Sequence, residues 1–420
     1  MCPGASGFKL GPQSFTRSGP LCPELLITLL VYMVADGGRR GYRHLLAAFW
    51  DDAKAHGLHL PVEDPVSGAA FCNARRKLKA ATVRVLLHDT AEAFERQHGA
   101  SLRFHGRRVF AVDGSKIPVQ RADELWRAFG GPSGGHTPQI MVTTLFDVIA
   151  KLPVDATVMP YASSEREQLD LLVGRLHSGD VLVLDRGFPS YEVIGALLAR
   201  KLDFVMRVPA VGSFAAVEDF VRSGRAEGEV TLVPVAPGAA RDSGPFVLRA
   251  VRRDGLDGEP QVLLTSLPST PFSHSEIFDL YRRRWEIELF FRLEKGDYIG
   301  HSQFHARHAD GVRQEVFALL LFVALSRTLM AAAAEARAVP YDRISQKGAI
   351  LAAAHRFTVL LLDSEPQRAR HTLDALLRRI ARCLDERRRS RSFPRRSFKP
   401  RSRWAASGHA HDPERRAEVG

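Results

Sequence analysis

Near residue 104 the sequence changes its period, and that change restricts the fold more than any other feature. Before it the pattern is helical, with segments over Pro23 to Gly37–Gly38, over Tyr42 to Ala55, from Ser67 onward and over 81–98. Pro23 suits a first helical turn, and Ser67 is a good N-cap. After residue 104 come short apolar runs of strand length: Val109–Asp113, Gln139–Val148, Leu152–Pro160, Asp180–Asp185 and Asp203–Val208. Helical stretches over Ser164–Leu176 and Tyr191–Lys201 separate the later ones. The order β-β-β-α-β-α-β predicts an α/β fold, a mixed sheet with helices on its faces. Residues 211–266 break the rhythm, because the runs at Val230–Val233, Phe246–Arg249 and Gln261–Leu264 lie between Gly, Pro and Asp turns. They predict a small β-rich insertion rather than a continuation of the sheet. Helical periodicity returns over Ser275–Lys295 and Gly311–Ala336.

Composition narrows the partners. With 45% hydrophobic and 25% charged residues the 420-residue chain excludes wholesale disorder. A formal charge of +12, carried mostly by arginine, points to a polyanion such as nucleic acid. Cysteines at 2, 22, 72 and 383 have neither the density of a disulfide framework nor the spacing of a thiolate zinc site. The longest apolar stretches, Leu25–Ala35 and Val316–Leu325, fall short of the ~20 residues that span a bilayer, so no membrane partner is expected. A reduced, cytoplasmic setting follows as the expectation.

Two strand ends carry carboxylates. Alternation puts Val109, Ala111 and Asp113 on one face of their run, and Val181, Val183 and Asp185 on one face of theirs. Both aspartates close an apolar stretch and precede glycine, at Asp113-Gly114 and Asp185-Arg186-Gly187. Strand ends are where α/β folds build their sites. On a helix over 275–295, Tyr281, Arg284, Glu288 and Lys295 fall within about 60° of arc at 100° per residue. Trp285 and Leu289 flank that stripe on one side and Phe291 on the other, with Arg282, Arg283, Glu286 and Glu294 opposite, on a solvent-like face. An Arg284–Glu288 pair contributes only a few tenths of a kcal/mol, a weak reason to set charges among apolar groups. Three converging carboxylates suit hard, oxygen-seeking cations, and paired Mg²⁺ ions activate one oxygen while stabilising another. Arg284 and Lys295 would hold phosphates. The residues point to metal-dependent phosphoryl transfer on nucleic acid.

Val112-Asp113-Gly114-Ser115, Leu184-Asp185-Arg186-Gly187-Phe188 and Tyr281-x2-Arg284-x3-Glu288-x6-Lys295 resemble the three catalytic blocks of DDE transposases of the IS-four family, the last being its Y-R-E-K signature. The resemblance spans roughly 105 to 300. It implies a ribonuclease H-like core interrupted by a β-rich insertion, with catalytic, metal-holding Asp113, Asp185 and Glu288, and DNA contacts from Tyr281, Arg284 and Lys295. The cofactor implied is a pair of Mg²⁺ ions, with Mn²⁺ as a substitute. The activity implied is cleavage of double-stranded DNA at the inverted repeats of a mobile element and joining of the 3′-hydroxyls to target DNA. A hairpin intermediate, no covalent enzyme–DNA link and no ATP go with it, and joining two ends implies at least a homodimer. Two alternatives stay open: a transposase-derived DNA-binding protein without catalysis, and a ribonuclease H-like nuclease that only hydrolyses.

The expected organisation is a helical region over 1–100 for DNA ends, a catalytic core over 105–210, the insertion over 211–266 and the core again over 267–300. A C-terminal helical region over 301–385 and a basic tail over 386–420, expected to be disordered, complete it. His301-x3-His305-x2-His308 has a spacing that could present imidazoles on one helical face, although as a zinc site it lacks a carboxylate or thiol. Trp126 falls in a loop-like stretch, as a base-stacking or a core residue. Ser115 has no His–acid partner for a triad. The tail carries nine Lys and Arg residues between 387 and 403 with little apolar content, so it can neutralise phosphates without reading sequence. Deleting 387–420 is expected to lower affinity for random DNA and sharpen preference for the element's ends, measured by competition binding at two salt concentrations.

Overall fold

The structure is a computed structural model, and it describes residues 19–36, 40–234, 244–255, 259–293, 304–354 and 356–385. Eight strands are described: β1 (Val109–Pro118), β2 (Gln139–Asp147), β3 (Leu152–Pro160), β4 (Val181–Leu184), β5 (Asp203–Val208), β6 (Glu227–Leu232), β7 (Phe246–Asp254) and β8 (Pro260–Thr265). They form one sheet in the order 3-2-1-4-5-8-7-6. β1 runs parallel to β4 and β4 to β5, while every other neighbour is antiparallel. The segment 3-2-1-4-5, antiparallel at β2, is the ribonuclease H-like arrangement that the resemblance implied.

The expectation of an insertion apart from the sheet is corrected. β8 pairs with β5, from Val205↔Thr265 to Val208↔Val262, and β7 and β6 follow outward. Val262, Leu263 and Leu264 are all fully buried, so this run is covered on both faces and needs a neighbour on each edge. Flanking turn residues say nothing of which strand that neighbour is. A helix the pattern did not reveal, α8 (Ala215–Arg222), follows β5 and buries Val217 and Phe220.

Helices cover both faces. On one lie α6 (Glu165–Val173), α7 (Tyr191–Ala199) and α8, packed on Phe110, Val112, Leu182 and Leu184. The other face, with Val109, Ala111, Val181 and Val183, carries α1 (Pro23–Ala35), α2 (Tyr42–Ala55), α3 (Gly68–Arg75), α4 (Ala80–His98) and α5 (Asp123–Phe129). The same layer holds α9 (His274–Arg282), α10 (Trp285–Leu293) and α11 (Ala309–Arg337), with α12 (Gln346–Ala354), α13 (Phe357–Leu362) and α14 (Pro366–Arg382) beyond it. Alternation along β1 and β4 thus feeds two separate cores, one per face. Among the described residues α11 is the one helix long and apolar enough to cross a membrane. Its most apolar window is 78% buried against the rest of the chain, as a core helix is.

A buried ion pair ties the N-terminal helices to α11. Arg75 and Glu315 are 2% and 1% exposed and meet at 2.8 Å. Arg75 also donates to Gln314 Oε1, to the Gly311 carbonyl and to the Tyr42 hydroxyl, and Gln314 donates back to the carbonyls of Arg75 and Leu78. Removing one partner leaves the other charge buried and alone. Glu315→Ala is expected to lower stability by about 3–5 kcal/mol, read by urea unfolding; a loss of under about 1 kcal/mol would show that the pair holds nothing together.

Candidate active site

β1 and β4 stay paired from Val109↔Val181 to Ala111↔Val183. Beyond that point β4 ends at Leu184, while β1 continues against β2 alone. Asp113 and Asp185 therefore stand in matching positions, two residues past the last pair; Asp185 lies just beyond the end of β4, whereas Asp113, where the sequence run was expected to close, lies inside β1, which continues to Pro118. The glycines after them have local reasons. The Gly114 N–H donates to Asp113 Oδ1 at 2.9 Å, and the Gly187 N–H donates to Asp185 Oδ1 at 2.8 Å. A Cβ at Gly114 would lie 2.5 Å from Glu165 Oε1, so this glycine opens the gap through which Glu165, from the opposite face of the sheet, approaches the aspartates.

The helix expected over 275–295 is broken. α9 ends at Arg282 and α10 begins at Trp285; between them Arg284 N–H bonds the Tyr281 carbonyl, and Ile287 N–H that of Arg284, both i→i−3. The single stripe drawn on a continuous helix does not survive the break. Leu289, expected to flank it as packing, is 38% exposed, and Glu286, expected on the solvent face, turns inward to Lys151 and Gln346. The functional trio stays together nonetheless. The Arg284 guanidinium donates to Glu288 Oε1, lies 3.9 Å from Asp113 Oδ2 and sits 5.8 Å from the centre of the Tyr281 ring. Lys295 lies outside the described residues.

Electrostatics marks the same spot. Burial pushes the Asp113 carboxyl up to about 6; Asp185 and Glu288 push the same way, against the Gly114 N–H and Arg284. Burial, then Asp113 and Asp185, raise Glu165 to about 7. Glu165 is the residue beside the aspartates that sequence reasoning did not single out: in the first turn after the Ser164 N-cap it reads as ordinary helix-start chemistry. On the face of Asp113 the hydroxyls of Ser115 and Thr144 are buried without a hydrogen-bond partner, and Thr144 is the register partner of Asp113. All-carboxylate donors beside unsatisfied hydroxyls fit a hard divalent cation with its waters. Among the described residues no three His, Cys, Asp or Glu side chains gather closely enough to hold an ion unaided; Arg284 supplies the countercharge between Asp113 and Glu288.

The other candidates make contacts within the chain. Trp126 is on α5, not in a loop, and its ring lies against Gly131. His305 and His308 share no helical face: His305 Nε2 bonds the Arg40 carbonyl, and His308 caps α11 by accepting from the Gly311 N–H. His301 lies outside the described residues.

Because the Asp113 pKa is higher folded than unfolded, the native state binds more protons between about pH 4 and 6, and stability falls as pH rises through that window. Asp113→Asn removes the buried charge. In metal-free buffer the variant is expected to be more stable than wild type at pH 7–8, by at most about 3 kcal/mol, and equal to it near pH 3–4. Equal unfolding midpoints at both ends would contradict the buried-charge account.

Residues 104–325, more than half of the chain, match the family described as Transposase DDE domain. The transposase InsG of insertion sequence element IS4 from Escherichia coli strain K12 is 26% identical over 293 residues, covering 66% of this chain and 64% of that one. The piggyBac transposase in its synaptic complex with hairpin DNA, solved by cryo-EM, superposes with a TM-score of 0.47 and 12% identity over 90% of this chain and 81% of that one. Asp113, Asp185 and Glu288 all fall inside the matched segment, and the chain belongs to the family of DDE-domain transposases.

Proposed function

We propose that this transposase binds the terminal inverted repeats of an insertion sequence, cleaves the DNA at the element's ends and joins the 3′-hydroxyls to target DNA. The observation that carries the reading is that Asp113 and Glu288 meet on the cationic Arg284, with Asp185 at the matching position of the neighbouring parallel strand. Asp113, Asp185 and Glu288 would hold two divalent ions, Mg²⁺ or Mn²⁺, which when bound supply activation of the attacking oxygen and stabilisation of the leaving one. Arg284 orients Glu288 and offers a planar fork to a phosphate. Burial raises the Tyr281 hydroxyl above its ordinary value, so it keeps its proton at neutral pH and can donate to a phosphate oxygen. Lys295, the last residue of the signature, would take the neighbouring phosphate. Joining two ends calls for two protomers, hence a homodimer on DNA.

Asp113→Ala, Asp185→Ala and Glu288→Ala are each expected to abolish Mg²⁺-dependent cutting while leaving DNA binding nearly intact. Pre-cleaved ends in the same assay separate strand transfer from hydrolysis alone. Substantial cleavage by any of the three variants would overturn the assignment, and a wild type that binds DNA but neither cuts nor joins would favour a DNA-binding derivative.

A further inference from the structure

On the face of the sheet that carries the N-terminal helices a cavity of about 450 Å³ opens between α2, α3, the residues after β1 and the segment leading into α11. Its walls include Tyr42, Arg76, Gln120, His305, Arg307 and His308, and no carboxylate. Arg75, at the back, is fully engaged by Glu315, Gln314, Gly311 and Tyr42. Arg76 and Arg307 differ: both are exposed, and neither has a hydrogen-bond or ion-pair partner among the described residues. Neutral donors complete the lining. His308 Nδ1 accepts from the Gly311 N–H, which puts the neutral ring's proton on Nε2. The Tyr42 oxygen accepts from Arg75, leaving its own hydrogen to donate. Acidic neighbours stand outside the walls, where Glu124 bonds the Ala309 N–H and Asp310 the Ala80 N–H.

We propose that this cavity is a phosphate-binding site whose occupant is the backbone of the DNA the transposase acts on. The proposal deepens the reading above and rests on it. Two unpaired guanidinium forks among neutral N–H and O–H donors match phosphodiester oxygens, which guanidinium binds in pairs. Gln120 lies along the continuation of β1 from Asp113, on the order of 20 Å away at about 3.3 Å per extended residue. At 3.4 Å per nucleotide that is roughly six steps along a strand, so DNA seated at the carboxylates reaches the cavity within one helical turn. The site joins α2 and α3, from the N-terminal region, to the entry of α11.

The test uses the full chain and a fluorescent random-sequence duplex. Arg76→Ala and Arg307→Ala are each expected to reduce the slope of log affinity against log salt by about 0.9, and the double variant by about 1.8; Arg76→Lys should restore most of the slope lost at that position. Cys72, half-buried in the cavity wall with a free thiol, reports location. In a variant keeping Cys72 as its only cysteine, duplex should slow maleimide labelling several-fold, and the double arginine change should remove that protection. Equal labelling rates without DNA verify that the arginine variants keep the fold. An unchanged slope, or unchanged protection, in the double variant overturns the site while leaving the transposase reading standing. Protection by millimolar inorganic phosphate alone, with none from duplex, makes it a free-phosphate site and overturns the DNA assignment. A wild type that binds no duplex at any salt removes both.

Discussion

Everything at the candidate site depends on where the parallel pairing of β1 and β4 stops. Because β4 ends at Leu184 while β1 runs on to Pro118, β1 beyond Ala111 has no strand on the β4 side. Side chains at Asp113 and Asp185 continue the face that buries Ala111 and Val183, yet stand just outside the core that those residues fill. That is a half-buried position, wet enough for a carboxylate and dry enough to disturb it. The helix carrying Glu288 packs on the same face through Ile287, Phe290 and Phe291, so apolar burial delivers the third acid.

Such a site is a liability to the fold that holds it. Asp113 is pushed up by burial before any neighbour acts, and its neighbours are acidic. Arg284 offsets part of this by reaching both Asp113 and Glu288. The break between α9 and α10 places Arg284 in a turn rather than mid-helix, within reach of a carboxylate on β1 and one on α10. Glu165 adds charge from the far face through the space Gly114 leaves. The arrangement has the character of a functional site, where local stability is given up for chemistry.

The helical layer solves a different problem. α11 is apolar enough to look like a membrane span, and it is satisfied instead by α1, α4, α12 and α14 packed around it. Its polar residues at the N-terminal end, Gln314 and Glu315, are met by Arg75 from α3. The N-terminal helices are therefore bound to the catalytic half by a directional contact as well as by apolar area, and the cationic cavity opens beside that contact.

Much of this was legible in the sequence, for physical reasons that differ by element. Strand-length apolar runs closed by Asp-Gly and Asp-Arg-Gly announced β1 and β4, since such runs are written locally, although β1 continues past Asp113 to Pro118. The signature residues at 281, 284 and 288 were legible through spacing, because contacts three and four residues apart are set by local backbone geometry; the turn at 283–284 preserves the Arg284–Glu288 pair. What needed the tertiary structure was non-local. That β8 continues the sheet beside β5 depends on which edge is free, and no local pattern encodes that. That Glu286 turns inward and Leu289 outward depends on a helix break and on Lys151 and Gln346, which are distant in sequence. Glu165 joins the aspartates, and Arg76 meets Arg307, across gaps in the chain that only folding closes. Local chemistry determined the elements and named the acids; the partners of each charge were decided by packing, because electrostatic neighbours are chosen in space and not along the chain.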